Sequence, residues 1–318
     1  MAAPAVPTVD LSKFLSGEAN DKQAFVNELG EAFHTIGFVA VTNHGIPEQL
    51  IADFYTAVKA FFDLPETVKR QYEVEGLGGQ RGYTSFGKEH AKHSNVGDLK
   101  EFWQIGQEVT DGDPVKLSYP DNVAVAELPA LMEVGNRLYK SFENTGKDLL
   151  RAIALYLGLE ENYFDGHVHN GNSILRAIHY PPITADPLTA IRSEQHEDIN
   201  LITLLVGASA DGLQLLTKNN EWLPVVAGKG QIIVNVGDML QRLTNNVLRS
   251  TTHRVVNPPR ELWHQPRLSI PFFLHPRSEM SLKVLDSCVT AENEKHYEDI
   301  TAGAYLHERL VEIGLIKA

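Results

Sequence analysis

Apolar residues recur at helical spacing early in the chain. Phe25, Leu29, Phe33 and Ile36 form one stripe over 21–36, and Gly37 ends it. Phe38 to Val41 then reads as a short strand closed by Asn43-His44-Gly45. Pro47 marks a second helix start, with Ile51, Phe54, Val58 and Phe61 on its stripe, and Asp63-Leu64-Pro65-Glu66 opens a further short helix. Residues 73–124 lose this periodicity and are rich in Gly, Pro and charge, so an irregular segment with short strands is expected there. Residues 126–158 return to helix, with Leu131, Leu138, Phe142, Leu149 and Ile153 among the candidate core positions.

The pattern changes after about residue 173. Short apolar runs follow, separated by Gly, Pro or Asn: Ile174–Tyr180, Leu201–Val206, Leu213–Leu216, Trp222–Val226, Gln231–Val236, Thr251–Val256 and Arg267–Leu274. Evenly spaced short strands point to a sandwich or barrel, and a double-sheet jelly roll is the form that holds a ligand or metal between its sheets. Residues 290–316 read as helical again. The expected fold is mixed α and β, a distorted double-stranded β-helix flanked by N-terminal helices and one C-terminal helix. Residues 1–318 are expected to form one domain: a helical region with substrate-facing loops over 1–172, the core over 173–280 and a helical segment over 281–318.

Charge narrows the partners. Lys plus Arg number 28 against 41 Asp plus Glu, a net charge of −13, which repels nucleic acids and anionic membranes. The single cysteine, Cys288, forms no intrachain disulfide and makes a thiolate metal site a poor expectation. Neither a secretory leader nor a membrane span is visible, so a cytoplasmic protein is expected; its oligomeric state is left open.

Candidate chemistry gathers in the β-rich half. His196-Glu197-Asp198, placed at the start of a strand, would turn His196 and Asp198 to one face and Glu197 away. His253, in a β-branched run, is the best third ligand. Two His and one carboxylate leave open positions on an octahedral metal, the arrangement of non-haem Fe(II) oxygenases. Arg267 and Ser269, two apart, share a face and offer a fork and a hydroxyl to a carboxylate; a surface ion pair is the plainer role for such an Arg. Tyr180, ahead of Pro181-Pro182, is a third donor for that carboxylate or a core tyrosine. His167 and His169 fall in an expected turn or loop, His44 in a turn that it helps to fix, and His90 and His93 in the irregular segment. Arg81, Tyr83, Phe86, Phe102 and Phe273 are candidates for reading a small-molecule substrate, with loop anchoring and core packing as the alternatives.

Taken in order, these motifs resemble one family. The Gly37-Phe38 … Asn43-His44-Gly45-Ile46 block, Tyr180-Pro181-Pro182, His196-x-Asp198 with His253, and Arg267-x-Ser269 resemble the isopenicillin N synthase-like branch of the 2-oxoglutarate/Fe(II)-dependent dioxygenase superfamily over roughly residues 5–276. The resemblance implies Fe(II) at His196, Asp198 and His253. It also implies 2-oxoglutarate held by Arg267, Ser269 and Tyr180, consumption of O2, release of succinate and CO2, and hydroxylation or desaturation of a small molecule. Ile178 stands where plant members carry Asn. Isopenicillin N synthase shares Arg-x-Ser without using 2-oxoglutarate, so an Fe(II) oxidase is the alternative, and a non-catalytic metal or carboxylate sensor a more distant one.

Overall fold

The computed structural model describes residues 6–90, 96–313 and 315–316. Among the described residues twelve strands make two sheets: β1 (Thr8–Asp10), β2 (Phe38–Thr42), β3 (Gly82–Thr84), β4 (Glu101–Gly106), β5 (Ile174–Tyr180), β6 (Ser193–His196), β7 (Ile202–Val206), β8 (Leu213–Leu216), β9 (Trp222–Pro224), β10 (Ile232–Val236), β11 (His253–Val255) and β12 (Arg267–Leu274). The larger sheet runs β1-β2-β10-β7-β12-β5-β4-β3 and the smaller β6-β11-β8-β9.

Alternation along the strands sorts side chains between two cores. Val39, Val41, Ile202, Leu204, Val206, Ile232, Val234, Ile270, Phe272 and Leu274 pack with the helices on one side of the larger sheet. Phe38, Ala40, Ile178 and Ile233 instead meet Leu213, Leu215, Leu223 and Val255 of the smaller sheet. Polar side chains interrupt this second core, and they form the site described below.

The outer layer is helical. The helix Ala130–Tyr156 stacks Phe142 on Phe272 at 5.4 Å between ring centroids. Gly146 allows that approach, because a Cβ there would lie 2.3 Å from a Leu274 methyl. The helix Ala19–Thr35 buries Phe25, Leu29 and Phe33 as their spacing predicts. Gly37 follows with φ of +75°, and a Cβ on it would fall 2.3 Å from the Arg249 carbonyl oxygen, so both conformation and space select glycine. The helix Glu48–Phe62 follows Pro47 as expected.

Three expectations need correction. The polar segment Ser193–His196 is a strand, β6, that ends at His196, whereas a strand beginning there was expected. It has no apolar alternation of its own; pairing with β11, His253 opposite His196, makes it a strand. The C-terminal helix covers only Ala302–Glu312 and not 290–316. Asn245 explains the difference, because its Nδ2 donates to the carbonyls of Asn293 and Glu294 and its Oδ1 accepts from the His296 amide, which ties that stretch outside a helical ladder. Thr301 then caps the helix by accepting from the Ala304 amide at 3.3 Å. Finally, His167 sits in a short helix, Asp165–Val168, where a turn or loop was expected.

Candidate active site between the sheets

His196 at the end of β6, His253 at the start of β11 and Asp198 just past β6 bring one ligand atom each to within 4.8 Å of one another. They are the one such group of three or more His, Cys, Asp or Glu among the described residues. Asp198 Oδ1 lies 4.0 Å from His196 Nε2 and 3.8 Å from His253 Nε2. These gaps are too long for hydrogen bonds, and a single ion fits between the three atoms.

The surroundings fix the orientation of each donor. Asp198 Oδ2 accepts from Thr203 Oγ1 at 2.6 Å and from Asn235 Nδ2 at 2.8 Å, which leaves Oδ1 to face the imidazoles. His196 Nδ1 lies 2.7 Å from the Glu194 carbonyl and His253 Nδ1 lies 3.1 Å from that of Thr251. A carbonyl only accepts, so each Nδ1 carries the proton and each Nε2 presents a lone pair. Burial and then the neighbouring His253 lower the His196 pKa, which favours the neutral ligand form. Burial alone would raise the Asp198 pKa; the facing His253 and His196 and the two hydrogen bonds outweigh it, and the net shift is downward. The donor set is thus oxygen and imidazole nitrogen, partly enclosed, and it fits Fe(II). Glu197 turns aside, as the sequence suggested, and accepts a hydrogen bond from Thr252 Oγ1.

A cavity opens from these three residues along the inner face of the larger sheet. Its floor follows alternate positions: Arg267, Ser269, Pro271 and Phe273 on β12 beside Tyr180, Ile178, Arg176 and Ile174 on β5. Arg267 and Tyr180 are register partners. The Arg267 guanidinium stands 5.0 Å from the Tyr180 ring, its Nε donates to the Ala210 carbonyl, and its Nη1 is buried without a partner. No carboxylate pairs with Arg267 among the described residues. An unneutralised buried guanidinium with a spare donor, next to a hydroxyl, fits the distal carboxylate of a dicarboxylic acid such as 2-oxoglutarate.

Arg192 escaped the sequence reading. It is buried, lies 5.9 Å from the Tyr180 ring and leaves its Nε unpartnered, so it adds a second cation at this end. Its signal in the sequence is only a lone basic residue four positions before His196. Thr203, Asn235, Arg176, Gln104 and His275 were also missed, because each is an ordinary polar residue until the sheets bring them together.

The expected substrate readers divide. Phe273 lines the cavity. Arg81 is buried outside the cavity wall and donates to Gln107, Tyr83 is buried against Glu101, and Phe102 lies under the Arg176 guanidinium at 4.1 Å. Phe86 is 49 % exposed. The positions of these four do not support a substrate-reading role. The roof of the cavity comes instead from the C-terminal helix, through Leu306 and Leu310, and from Ile313 just beyond it. His44 fixes its turn by accepting from the Ile46 amide, His90 lines the cavity, and His93 lies outside the described residues.

Comparison with known proteins agrees with this geometry. Residues 6–127 match the family described as non-haem dioxygenase in morphine synthesis N-terminal, and residues 171–276 match the 2OG-Fe(II) oxygenase superfamily. A proline hydroxylase, buaE, of Petromyces alliaceus is 35% identical over 96% of this chain and 99% of its own. A 2OG-Fe(II) oxygenase family protein of Caulobacter crescentus superposes with a TM-score of 0.88 at 44% identity, covering 98% of this chain and 100% of that one. A Neurospora crassa protein, solved at full length in complex with alpha-KG and thymine, superposes with a TM-score of 0.84 at 30% identity over 96% of both chains. Motif order, sheet architecture and these relatives agree: the chain belongs to the 2OG-Fe(II) oxygenase superfamily and is a 2-oxoglutarate-dependent oxidoreductase of the jelly-roll fold.

Proposed function

We propose that His196, Asp198 and His253 hold one Fe(II), that Arg267, Ser269 and Tyr180 hold the distal carboxylate of 2-oxoglutarate, and that a small molecule is hydroxylated or desaturated beside them. The observation that carries the reading is the division of labour on Asp198, with Oδ2 held by two donors and Oδ1 free toward two imidazole lone pairs. When bound, the iron and 2-oxoglutarate supply oxidising power from O2, with succinate and CO2 as co-products. The chain's own residues position and enclose. The Glu194 and Thr251 carbonyls hold the imidazole rings in one tautomer. Arg267, with Arg192 also beside Tyr180, gives the dicarboxylate end a positive field that no acid among the described residues pairs with. Leu306, Leu310 and Ile313 close an apolar wall over the cavity and limit water entry.

A small-molecule substrate suits a partly enclosed cavity of this kind, and the thymine of the Neurospora crassa structure and the proline of the Petromyces alliaceus enzyme's name are both small ring compounds. The test is anaerobic addition of Fe(II) and 2-oxoglutarate. A visible metal-to-ligand charge-transfer band is expected, followed by succinate on admitting O2. Absence of both contradicts the reading.

A further inference from the structure

The two ends of the cavity differ in their charge. At one end Arg267 and Arg192 pair with no acid among the described residues. At the other, four residues along β5 and so about 13 Å from Tyr180, the buried charges of the described residues Lys100, Arg176, Glu89 and Asp98 are matched. Lys100 Nζ lies 2.7 Å from Glu89 and 2.7 Å from Asp98, and Arg176 Nη1 lies 3.1 Å from Glu89. Two cations and two anions, all buried or nearly so, sum to zero. Burial alone would raise the Glu89 pKa; Arg176 and Lys100 hold it down at about 2, so this carboxylate stays ionised. His275, on the same wall, is pushed down to about 4 by burial and contributes no charge at neutral pH.

The polar atoms left over at this end are hydrogen-bonding atoms without protein partners. Gln104 and Arg176 are register partners on β4 and β5. Gln104 Oε1 accepts from Arg176 Nε at 2.6 Å, which fixes the amide orientation and leaves Nε2 buried and unpartnered. Arg176 directs Nη1 to Glu89, and no described residue accepts from its Nη2. Its guanidinium is held between Phe102 at 4.1 Å and Phe273 at 5.2 Å from the ring centroids, so it cannot swing away. His275 Nδ1 is also buried and unpartnered. Ile174, Ile178 and Leu306 supply apolar surface around them.

We propose that this end of the cavity reads an uncharged substrate through its acceptors, a compact amide or lactam whose carbonyl oxygen takes hydrogen bonds from Gln104 and Arg176, and that it rejects the corresponding carboxylic acid. The inference rests on the proposed function above and adds the substrate's chemical class. An amide satisfies the Gln104 Nε2 donor, which otherwise stays unpaired in a buried place, and takes a second bond from Arg176 Nη2. A carboxylate would add a charge to four described residues that already sum to zero, beside the Glu89 anion, and lose its hydration without a free counterion among the described residues. Gln104, Arg176 and Glu89 act here as specificity-determining residues.

The test uses the anaerobic complex of the full chain with Fe(II) and 2-oxoglutarate, titrated with matched pairs: cyclohexanecarboxamide against cyclohexanecarboxylate, and benzamide against benzoate. Perturbation of the visible band gives each dissociation constant. In the unaltered protein the amide is expected to bind at least about tenfold tighter than its acid. Glu89→Gln leaves the cluster with one excess positive charge, and the amide-over-acid preference is expected to fall tenfold or invert. Gln104→Leu is expected to weaken the amide tenfold with 2-oxoglutarate binding unchanged, and formation of the band in each variant shows that the site is assembled. Acids binding as tightly as amides, a band indifferent to every amide, or an unchanged preference in both variants would overturn the proposal alone. If no band forms with 2-oxoglutarate at all, the reading of the site fails and the proposal falls with it.

Discussion

Replacing Thr203 by Val removes one support of the proposed metal site while keeping the side chain's shape. Thr203 Oγ1 donates to Asp198 Oδ2 at 2.6 Å and itself accepts from Asn200 Nδ2 at 2.8 Å. Valine loses both contacts. The first is a bond to a charged group, worth roughly 1.5–3 kcal/mol, and the second leaves a buried amide unpaired. Asn235 Nδ2 still holds Oδ2 at 2.8 Å, so the carboxylate keeps one of its two donors and is free to rotate about that single contact. Loss of an outer hydrogen bond of this kind typically weakens metal binding about 10–100-fold. Anaerobic Fe(II) titration by calorimetry should therefore show a weaker Kd for Thr203→Val, and a similar loss for Asn235→Leu. The double variant should lose more than either. A Kd within about twofold of the parent, in a variant that melts cooperatively, would refute the argument that these donors orient Asp198.

Other consequences are more local. Arg267→Ala should raise the 2-oxoglutarate concentration needed for half-maximal succinate formation by about 100-fold, toward the low end of the range for removing one member of a buried charge pair; an unchanged requirement points to a different anchor. His275 links stability to pH. Its pKa is lowered from 6.5 to about 4 by burial, so the unfolded chain takes up a proton below 6.5 that the native chain refuses. Its stability contribution is therefore complete above pH 6.5 and is lost as pH falls toward 4, by up to roughly 3 kcal/mol. Urea midpoints across this window should fall less steeply for His275→Asn, and equal slopes would contradict the assignment. Gly37→Ala should cost about 2 kcal/mol or more, read as a lower urea midpoint, because φ of +75° is strained for alanine and its Cβ meets the Arg249 carbonyl; an unchanged midpoint would show that the turn relaxes.

The candidate metal ligands could be read from the sequence because metal chemistry restricts both residue type and spacing. His196-x-Asp198, His253 and Arg267-x-Ser269 remain recognisable without any structure. The strands of the core could be read for a related reason, since Ile174–Tyr180, Leu213–Leu216 and Arg267–Leu274 carry their own apolar alternation and appear with the expected bounds. β6 could not, because Ser193–His196 owes its conformation to pairing with a strand far along the chain. The supports of Asp198 come from β7 and β10, where Thr203 and Asn235 look like isolated polar breaks in apolar strands. The substrate candidates Arg81, Tyr83, Phe86 and Phe102 do not line the cavity, since aromatic and basic character in an irregular segment does not reveal which way a side chain faces. Gln104 and Arg176 sit on ordinary strands, and only their pairing across β4 and β5 exposes the unsatisfied donors.

The most direct test of the account is an iron-edge anomalous difference map from crystals grown anaerobically with Fe(II) and 2-oxoglutarate. The account predicts one strong peak bonded to His196 Nε2, Asp198 Oδ1 and His253 Nε2, with 2-oxoglutarate density running from it to Arg267. A peak at other residues, such as His167 and His169, or no peak between the sheets, would contradict it.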